Sequence, residues 1–272
     1  MRKSFLLSVA VLLVVSLIAA LYPALPVEEP PVTLPPDAVT LPPDAVTLPP
    51  DARLVAIFFD DGWQNQYDVA LPILLRHDFK ASFTIITDYI GTGEGFWEYM
   101  SHKEIKELAE HGMDIAAHTK THPDLTKLTD EQMREEIFGS KEYLANLGFE
   151  VRTFAYPFNA WNDIAVGYVK EAGFVCARAG WPKQAFDLEG AEPIERFRIN
   201  SFCITNQTLD EFKEIVANAA PNRVVVLTYH HISDEGNEWS TEWSTPVRNF
   251  AEQMHYLEEA GFTVVLLPDL FE

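Results

Sequence analysis

The chain has 272 residues, 47% of them hydrophobic, with 20 basic against 41 acidic side chains and a formal charge of −21. That length supports one large core. The acidic balance argues against nucleic acid and other phosphate-rich polymers as partners and favours a neutral substrate.

Arg2 and Lys3 precede an apolar run over residues 5–22, the charged and apolar regions of an export signal. Residues 1–25 are therefore expected to be a signal peptide or a membrane anchor. The remainder would be exported, either secreted or held on the outer face of the cell membrane, with contact to the membrane only through this segment. Residues 26–52 form a Pro-rich linker with three VTLPPDA repeats at 32–38, 39–45 and 46–52. Heptads this rich in proline favour extended polyproline backbone at about 3.1 Å per residue, so they predict a spacer; a leader without that role is the alternative.

From residue 53 to 272 short apolar runs alternate with amphipathic stretches, which predicts a single catalytic domain. Strands are expected at 54–59, 81–87, 114–118, 152–156, 174–177, 198–202, 224–229 and 263–267. The helix after the third strand starts at Thr129, whose hydroxyl can cap it while Gln132 returns the bond, and it ends near Gly148. Gly112, Gly173 and Gly261 end other helices. This alternation predicts an α/β fold with a parallel sheet, and seven or eight units predict closure into a (β/α) barrel with its chemistry at the C-terminal rim. Cys176 and Cys203 lie on successive predicted strands; a disulfide and two free thiols are both open.

The polar residues fall on that rim. Asp60-Asp61-Gly62 follows the first predicted strand, His118-Thr119-Lys120-Thr121-His122-Pro123 the third, Pro157-Phe158 the fourth and His230 the seventh. Asp-Asp-Gly alone is usually a turn. One carboxylate and two imidazoles together, however, make a divalent-metal site, and a second carboxylate beside them can act as a base on water. The histidine spacing matches the zinc-protease helix, but that helix needs Glu after the first His, and residue 119 is Thr. Pro123 disfavours helical geometry at His122, so a loop leaving a strand is expected. Strand alternation puts His231 opposite His230, as a bystander or a supporting group. The tryptophans are individually expected in packing roles, with Trp63 and Trp161 on rim loops able to stack on sugar rings.

Residues 54–267 resemble the polysaccharide deacetylase family, also called carbohydrate esterase family 4 or the NodB-homology domain. The resemblance rests on Phe59-Asp60-Asp61-Gly62, on His118 to Pro123, on Ala155-Tyr156-Pro157-Phe158-Asn159, and on Leu227-Thr228-Tyr229-His230. It implies a deformed (β/α) barrel and metal-dependent hydrolysis of N-acetyl groups on an N-acetylglucosamine-containing polysaccharide such as chitin, peptidoglycan or poly-N-acetylglucosamine. By position it implies Asp61, His118 and His122 as ligands to one divalent ion, zinc first, with cobalt, nickel or manganese as alternatives. Asp60 would be the base and His230 the acid, with Tyr156, Phe158, Trp63 and Trp161 at the oxyanion or substrate. The family's third motif commonly opens with an Arg and closes with a Gly; here those positions hold Ala155 and Asn159. Arg178, one strand on, is the expected substitute for tuning the base. The family's Asp-and-Trp fourth motif has no clear counterpart, Trp181 being a candidate for its apolar part. An acetyl-xylan or other carbohydrate esterase, and a non-catalytic carbohydrate-binding protein, are the rival readings.

Overall fold

Leu54–Phe59 is an uninterrupted apolar run, and it forms the first strand, β1, buried along its whole length. A computed structural model describes Pro49 and residues 51–180, 183–189, 192–235 and 240–271. The apolar run at 5–22, most of the VTLPPDA repeats, Trp181 and Trp239 lie outside the described residues. Among the described residues no helix is long and apolar enough to cross a membrane.

All six residues of β1 pair in parallel with β8 (Arg223–Tyr229), from Leu54 opposite Val224 to Phe59 opposite Tyr229. Its other edge is shared. β11 (Thr263–Val264) takes Leu54 and Val55, and β2 (Ser82–Ile85) takes Phe58 and Phe59. The sheet continues in parallel through β3 (Asp114–Ala117), β4 (Thr153–Ala155) and β5 (Cys176–Arg178). Past β8 lie β6 (Phe186–Asp187), antiparallel, and β7 (Phe202–Cys203), parallel. Ile199 makes a parallel bridge with Arg178 three residues before β7 begins, so the sheet curls until its two ends meet through this segment. The result is the expected deformed (β/α) barrel.

Parallel neighbours need long crossovers, and helices supply most of them. They are α1 (Leu71–Arg76), α2 (His102–Glu110), α3 (Asp130–Asn146), α4 (Asp163–Glu171), α5 (Leu209–Val216) and α6 (Val247–Glu259). Reciprocal capping boxes start α2, α3 and α5, the one at Thr129 and Gln132 as expected from the sequence.

Strand alternation then divides the core in two. Val55, Ile57 and Phe59 pack outward against helix residues such as Leu74, Leu108, Ile137 and Phe250. Leu54, Ala56 and Phe58 point inward with Val224, Val226, Cys176 and Ile199. Continuing the inward set by two places Asp60 inside the barrel mouth. The same rule directs Thr84, His118, Arg178 and His230 inward from their own strands.

Some elements differ from expectation. The sixth predicted strand reduces to Phe202–Cys203 plus the Ile199 bridge, because Arg198 (φ −150°, ψ 47°) leaves the extended region. The last strand stops at Val264, since Leu267–Leu270 turns into a 3₁₀ segment with Pro268 in its first turn. β6 and the pair β9 (His231–Ile232) and β10 (Ser244–Thr245) have two residues each, too few to show periodicity. Cys176 and Cys203 are free thiols. Ala52, assigned to the linker, donates its N–H to Pro49 and packs into the inner core, so the folded unit begins before residue 53.

Candidate active site

The chain turns sharply where β1 ends. Asp61 and Gly62 both adopt left-handed backbone (φ 78° and 83°), and a Cβ at residue 62 would stand 3.3 Å from Ile85 Cδ1. This turn lets two adjacent carboxylates serve different purposes: Asp60 stays in the barrel and Asp61 swings across its mouth.

The Asp61 Oδ1 atom lies 3.6 Å from His118 Nε2 and 3.5 Å from His122 Nε2. Three such donors placed tetrahedrally around an ion at about 2.1 Å would be about 3.4 Å apart, close to both separations from Asp61, and all three donors lie within 4.8 Å of one another. The three residues are also the cluster of metal-ligating type among the described residues. His118 Nδ1 donates to the Ala155 carbonyl at 2.8 Å, which leaves the Nε2 lone pair for coordination. Burial dominates at His118 and pushes its pKa down to about 4 in spite of the nearby Asp60 charge, so the ring is neutral at pH 7. Trp63 Nε1 donates to Asp61 Oδ2 at 3.0 Å, holding the other carboxylate oxygen away from the two rings.

Asp60 is 4% exposed and Arg178 2% exposed. Arg178 Nη2 donates to Asp60 Oδ2 at 2.6 Å and Thr84 Oγ1 to Asp60 Oδ1 at 2.9 Å. Burial alone raises the Asp60 pKa, but the Arg178 charge foremost, with His230 and the Thr84 hydrogen bond, outweighs it, and the net shift is downward. Arg178 Nη1 also donates to Asn159 Oδ1 at 3.0 Å. Asn159 has φ 55°, and its carboxamide occupies the space beside Gly180, where a Cβ would meet Asn159 Oδ1 at 2.0 Å. The departures at Ala155 and Asn159 thus both adjoin Arg178: Ala155 pairs with it across β4 and β5, and Asn159, given room by Gly180, accepts its hydrogen bond.

His230 Nε2 is 3.8 Å from Asp60 Oδ2, and its Nδ1 faces the Cys203 thiol at 4.0 Å. Burial lowers the His230 pKa, but the Cys203 contact and the charges of Asp61 and Asp60 more than reverse this, pushing it up to about 9. The imidazole is thus protonated at neutral pH. His231 is a supporting group: it stacks on Trp63 and Phe96, with centroids 4.4 and 4.1 Å away, and its Nδ1 is 2.9 Å from the Asn65 amide nitrogen. Burial pushes its pKa down to about 4.

An open cavity of about 820 Å³ joins these groups. Asp60, Asp61, Trp63, His118, His122, Tyr156, Phe158, Arg178 and His230 all line it, so nearly every residue singled out from the sequence converges here. Phe158 is 66% exposed, with left-handed backbone (φ 56°) and its ring 4.6 Å from that of His122. Trp161 is the exception. It is not among the lining residues; its half-buried ring packs on the outer core with the Arg198 guanidinium 5.4 Å above it, which corrects the expectation of a sugar contact. Tyr156 borders the cavity, but its hydroxyl donates to the Phe197 carbonyl at 2.9 Å and burial raises its pKa, so its role is structural. Residues that sequence reasoning did not reach include Thr84, Cys203, Gln66 and Asn65. Gln66 Nε2 donates both to the Asp60 carbonyl (2.5 Å) and to the His230 carbonyl (3.0 Å), tying together the strand ends that carry those two side chains. Only the inward alternation of Thr84 carried a signal.

Fold and donor set together define a deformed (β/α) barrel with three side chains of metal-ligating type in a cavity at its C-terminal rim. Residues 47–177, just under half of the chain, match the family described as Polysaccharide deacetylase. The chain is 31% identical over 149 residues to the poly-β-1,6-N-acetyl-D-glucosamine N-deacetylase of Staphylococcus aureus, covering 50% of this chain and 48% of that protein. It is 29% identical to the solved structure of a polysaccharide deacetylase from Bacillus cereus, with a TM-score of 0.53 over 59% of this chain and 50% of that one. The carbohydrate-esterase domain of a multidomain xylanase from a Trinervitermes trinervoides hindgut metagenome shares the fold over 81% of this chain and 90% of its own, with a TM-score of 0.55 and 19% identity. The chain spans about half the length of the curated relatives it matches.

Proposed function

We propose that this protein hydrolyses N-acetyl groups from an N-acetylglucosamine-containing polysaccharide, with a zinc ion or a similar divalent metal held by Asp61, His118 and His122. The observation that carries this reading is the arrangement of three ligand-type donors, Asp60 and His230 around one open cavity. A divalent ion held there supplies Lewis acidity to the amide carbonyl and to an attacking water.

The protein's own groups divide the proton work. Asp60 is kept as a carboxylate by Arg178, bonded to Oδ2, and by Thr84, bonded to Oδ1, and each oxygen keeps a second lone pair with which it can take a proton from water. His230 holds a proton at Nε2, facing the same space, and can deliver it to the departing amine. The two roles need groups whose pKa values are driven apart, and the shifts here do that. Phe158, exposed on the cavity wall, offers an apolar face suited to a sugar ring, whereas the two faces of Trp63 are covered by Tyr99 and His231, which corrects the expectation of a sugar contact there. The S. aureus relative's name points to the same linkage class. The Arg2-Lys3 charge and following apolar run support export, either secreted or membrane-anchored, where such polymers are found.

The test is acetate release from chito-oligosaccharides and from poly-β-1,6-N-acetylglucosamine by the purified protein supplied with zinc, cobalt or nickel, with a chelator control. Chelator-sensitive release is expected. Release from acetylated xylan alone would replace the amide reading with an esterase, and sugar binding without release would replace it with a binding protein.

A further inference from the structure

We propose that Glu136 on α3 is a positioning residue for His122, holding the loop that carries this ligand by its backbone N–H groups; the inference rests on the reading of Asp61, His118 and His122 as a metal site. The loop between the two histidines is awkward. Thr119 and His122 both have left-handed backbone (φ 66° and 60°), and no glycine is present to relieve it. A β-branched residue in that region is a conformational outlier that persists only when its surroundings over-determine it.

Those surroundings are visible on both sides of the loop. Its carbonyls are taken by the backbone after β2: Thr87 N–H donates to Thr119 O at 3.3 Å and Asp88 N–H to Lys120 O at 3.0 Å. Its N–H groups are taken by one side chain. Lys120 N–H and Thr121 N–H donate to Glu136 Oε2 at 2.8 and 2.9 Å, and the Thr121 hydroxyl donates to Glu136 Oε1 at 2.6 Å. Thr119 Oγ1 then accepts from His122 N–H at 3.0 Å, passing the constraint to the ligand itself. α3 is a firm anchor for this clasp because Met133, Ile137 and Ser140 on either side of Glu136 are buried.

The neighbouring Glu135 pairs with Lys120 through the side-chain Nζ at 2.5 Å, a contact that leaves the backbone unheld. His118 has a separate restraint in the Ala155 carbonyl. Loss of the Glu136 clasp should therefore loosen one ligand of three and weaken the site without abolishing it.

Zinc titration of the purified full-length protein by calorimetry tests this, with thermal unfolding and amide hydrogen exchange of the metal-free protein measured alongside. Glu136→Ala is expected to weaken zinc binding by about 10–100-fold, the usual effect of removing a group that orients a ligand. Amide exchange at Lys120 and Thr121 should become faster. Glu136→Gln should stay within a few-fold of wild type, because its carboxamide oxygen can accept both N–H bonds. Glu135→Ala should bind zinc as wild type does. Should Glu136→Ala fail to fold, Glu136→Asp replaces it, since the shorter side chain cannot span all three donors. Wild-type zinc affinity and wild-type exchange in Glu136→Ala, or equal weakening in Glu135→Ala, would overturn the inference. A wild-type protein that takes up no zinc would instead overturn the metal reading on which the inference stands.

Discussion

Replacing Arg178 with Met removes the guanidinium bonded to Asp60 while keeping most of the side-chain volume. Both partners are almost fully buried and 2.6 Å apart, so the substitution leaves a buried carboxylate without its cation. Breaking a buried pair from one side costs about 3–5 kcal/mol. Thr84 and His230 still face Asp60, which favours the low end, about 3 kcal/mol at pH 7. In a domain of about 220 residues each kcal/mol moves the melting temperature by about 2–4 °C, giving a drop of about 6–12 °C. The dependence on pH has a definite sign. Asp60 has a lowered pKa in the folded protein, so its stabilising contribution is present above the unfolded value and fades as pH falls through the folded one. The deficit of Arg178→Met should be largest near neutrality and shrink below about pH 4, where the unfolded carboxyl also protonates. Adding Asp60→Asn should restore most of the loss, a coupling of about 2–3 kcal/mol. Denaturant unfolding of the metal-free protein at pH 7 and pH 4 measures all of this. A single mutant within 1 kcal/mol of wild type, or two substitutions that simply add, would refute the view that this ion pair sets the state of Asp60.

Asp60→Asn should retain zinc in a binding titration while acetate release falls by about 10²–10⁴-fold, whereas His118→Ala should lose both metal and turnover. Cys203→Ala removes the largest influence raising the His230 pKa, so the His230 titration of the metal-free protein, about 9 in the wild type and followed by NMR, should move to lower pH. The same raised pKa means that His230 stabilises the fold fully below its unfolded pKa of 6.5 and loses that contribution as pH rises through about 9; Cys203→Ala should begin to lose it at lower pH in thermal unfolding. Gln66→Met breaks the bridge between the Asp60 and His230 carbonyls, and should lower kcat more than it raises KM, with zinc affinity unchanged.

Much of the site was legible because strand alternation and residue chemistry coincide. β1 alternates between helix-facing and barrel-facing residues, so Asp60 follows Leu54, Ala56 and Phe58 into the interior, and similar counting directs His118, Arg178 and His230 there. What periodicity does not carry is reach. Trp161 sits on a rim loop, yet its ring turns onto the outer core, and nothing in its neighbours' identities distinguishes that from a cavity-facing ring. Gln66, Cys203 and Glu136 reach His230, His230 and Lys120, which lie 164, 27 and 16 residues away in sequence. Their partners are set by how strands are ordered around the barrel, which a local pattern does not encode. Tyr156 fails for the opposite reason: its motif is recognisable, but alternation aims its side chain outward, where its hydroxyl meets Phe197.

The shared edge of β1 has a consequence for how the protein reaches its native state. Its top half pairs with β2, only about 24 residues on, but its bottom half waits for β11, where Leu54 meets Thr263, and its other edge waits for β8, where Leu54 meets Val224. Most of Leu-Val-Ala-Ile-Phe-Phe is thus left unpaired until nearly the whole barrel has emerged, and contacts of such long sequence separation form slowly. Six consecutive apolar residues without charge or proline are also the pattern that assembles between chains when left open. Refolding yield should accordingly fall steeply with protein concentration, and the strand that delivers the paired aspartates should be the segment most in need of a chaperone's protection before the barrel closes.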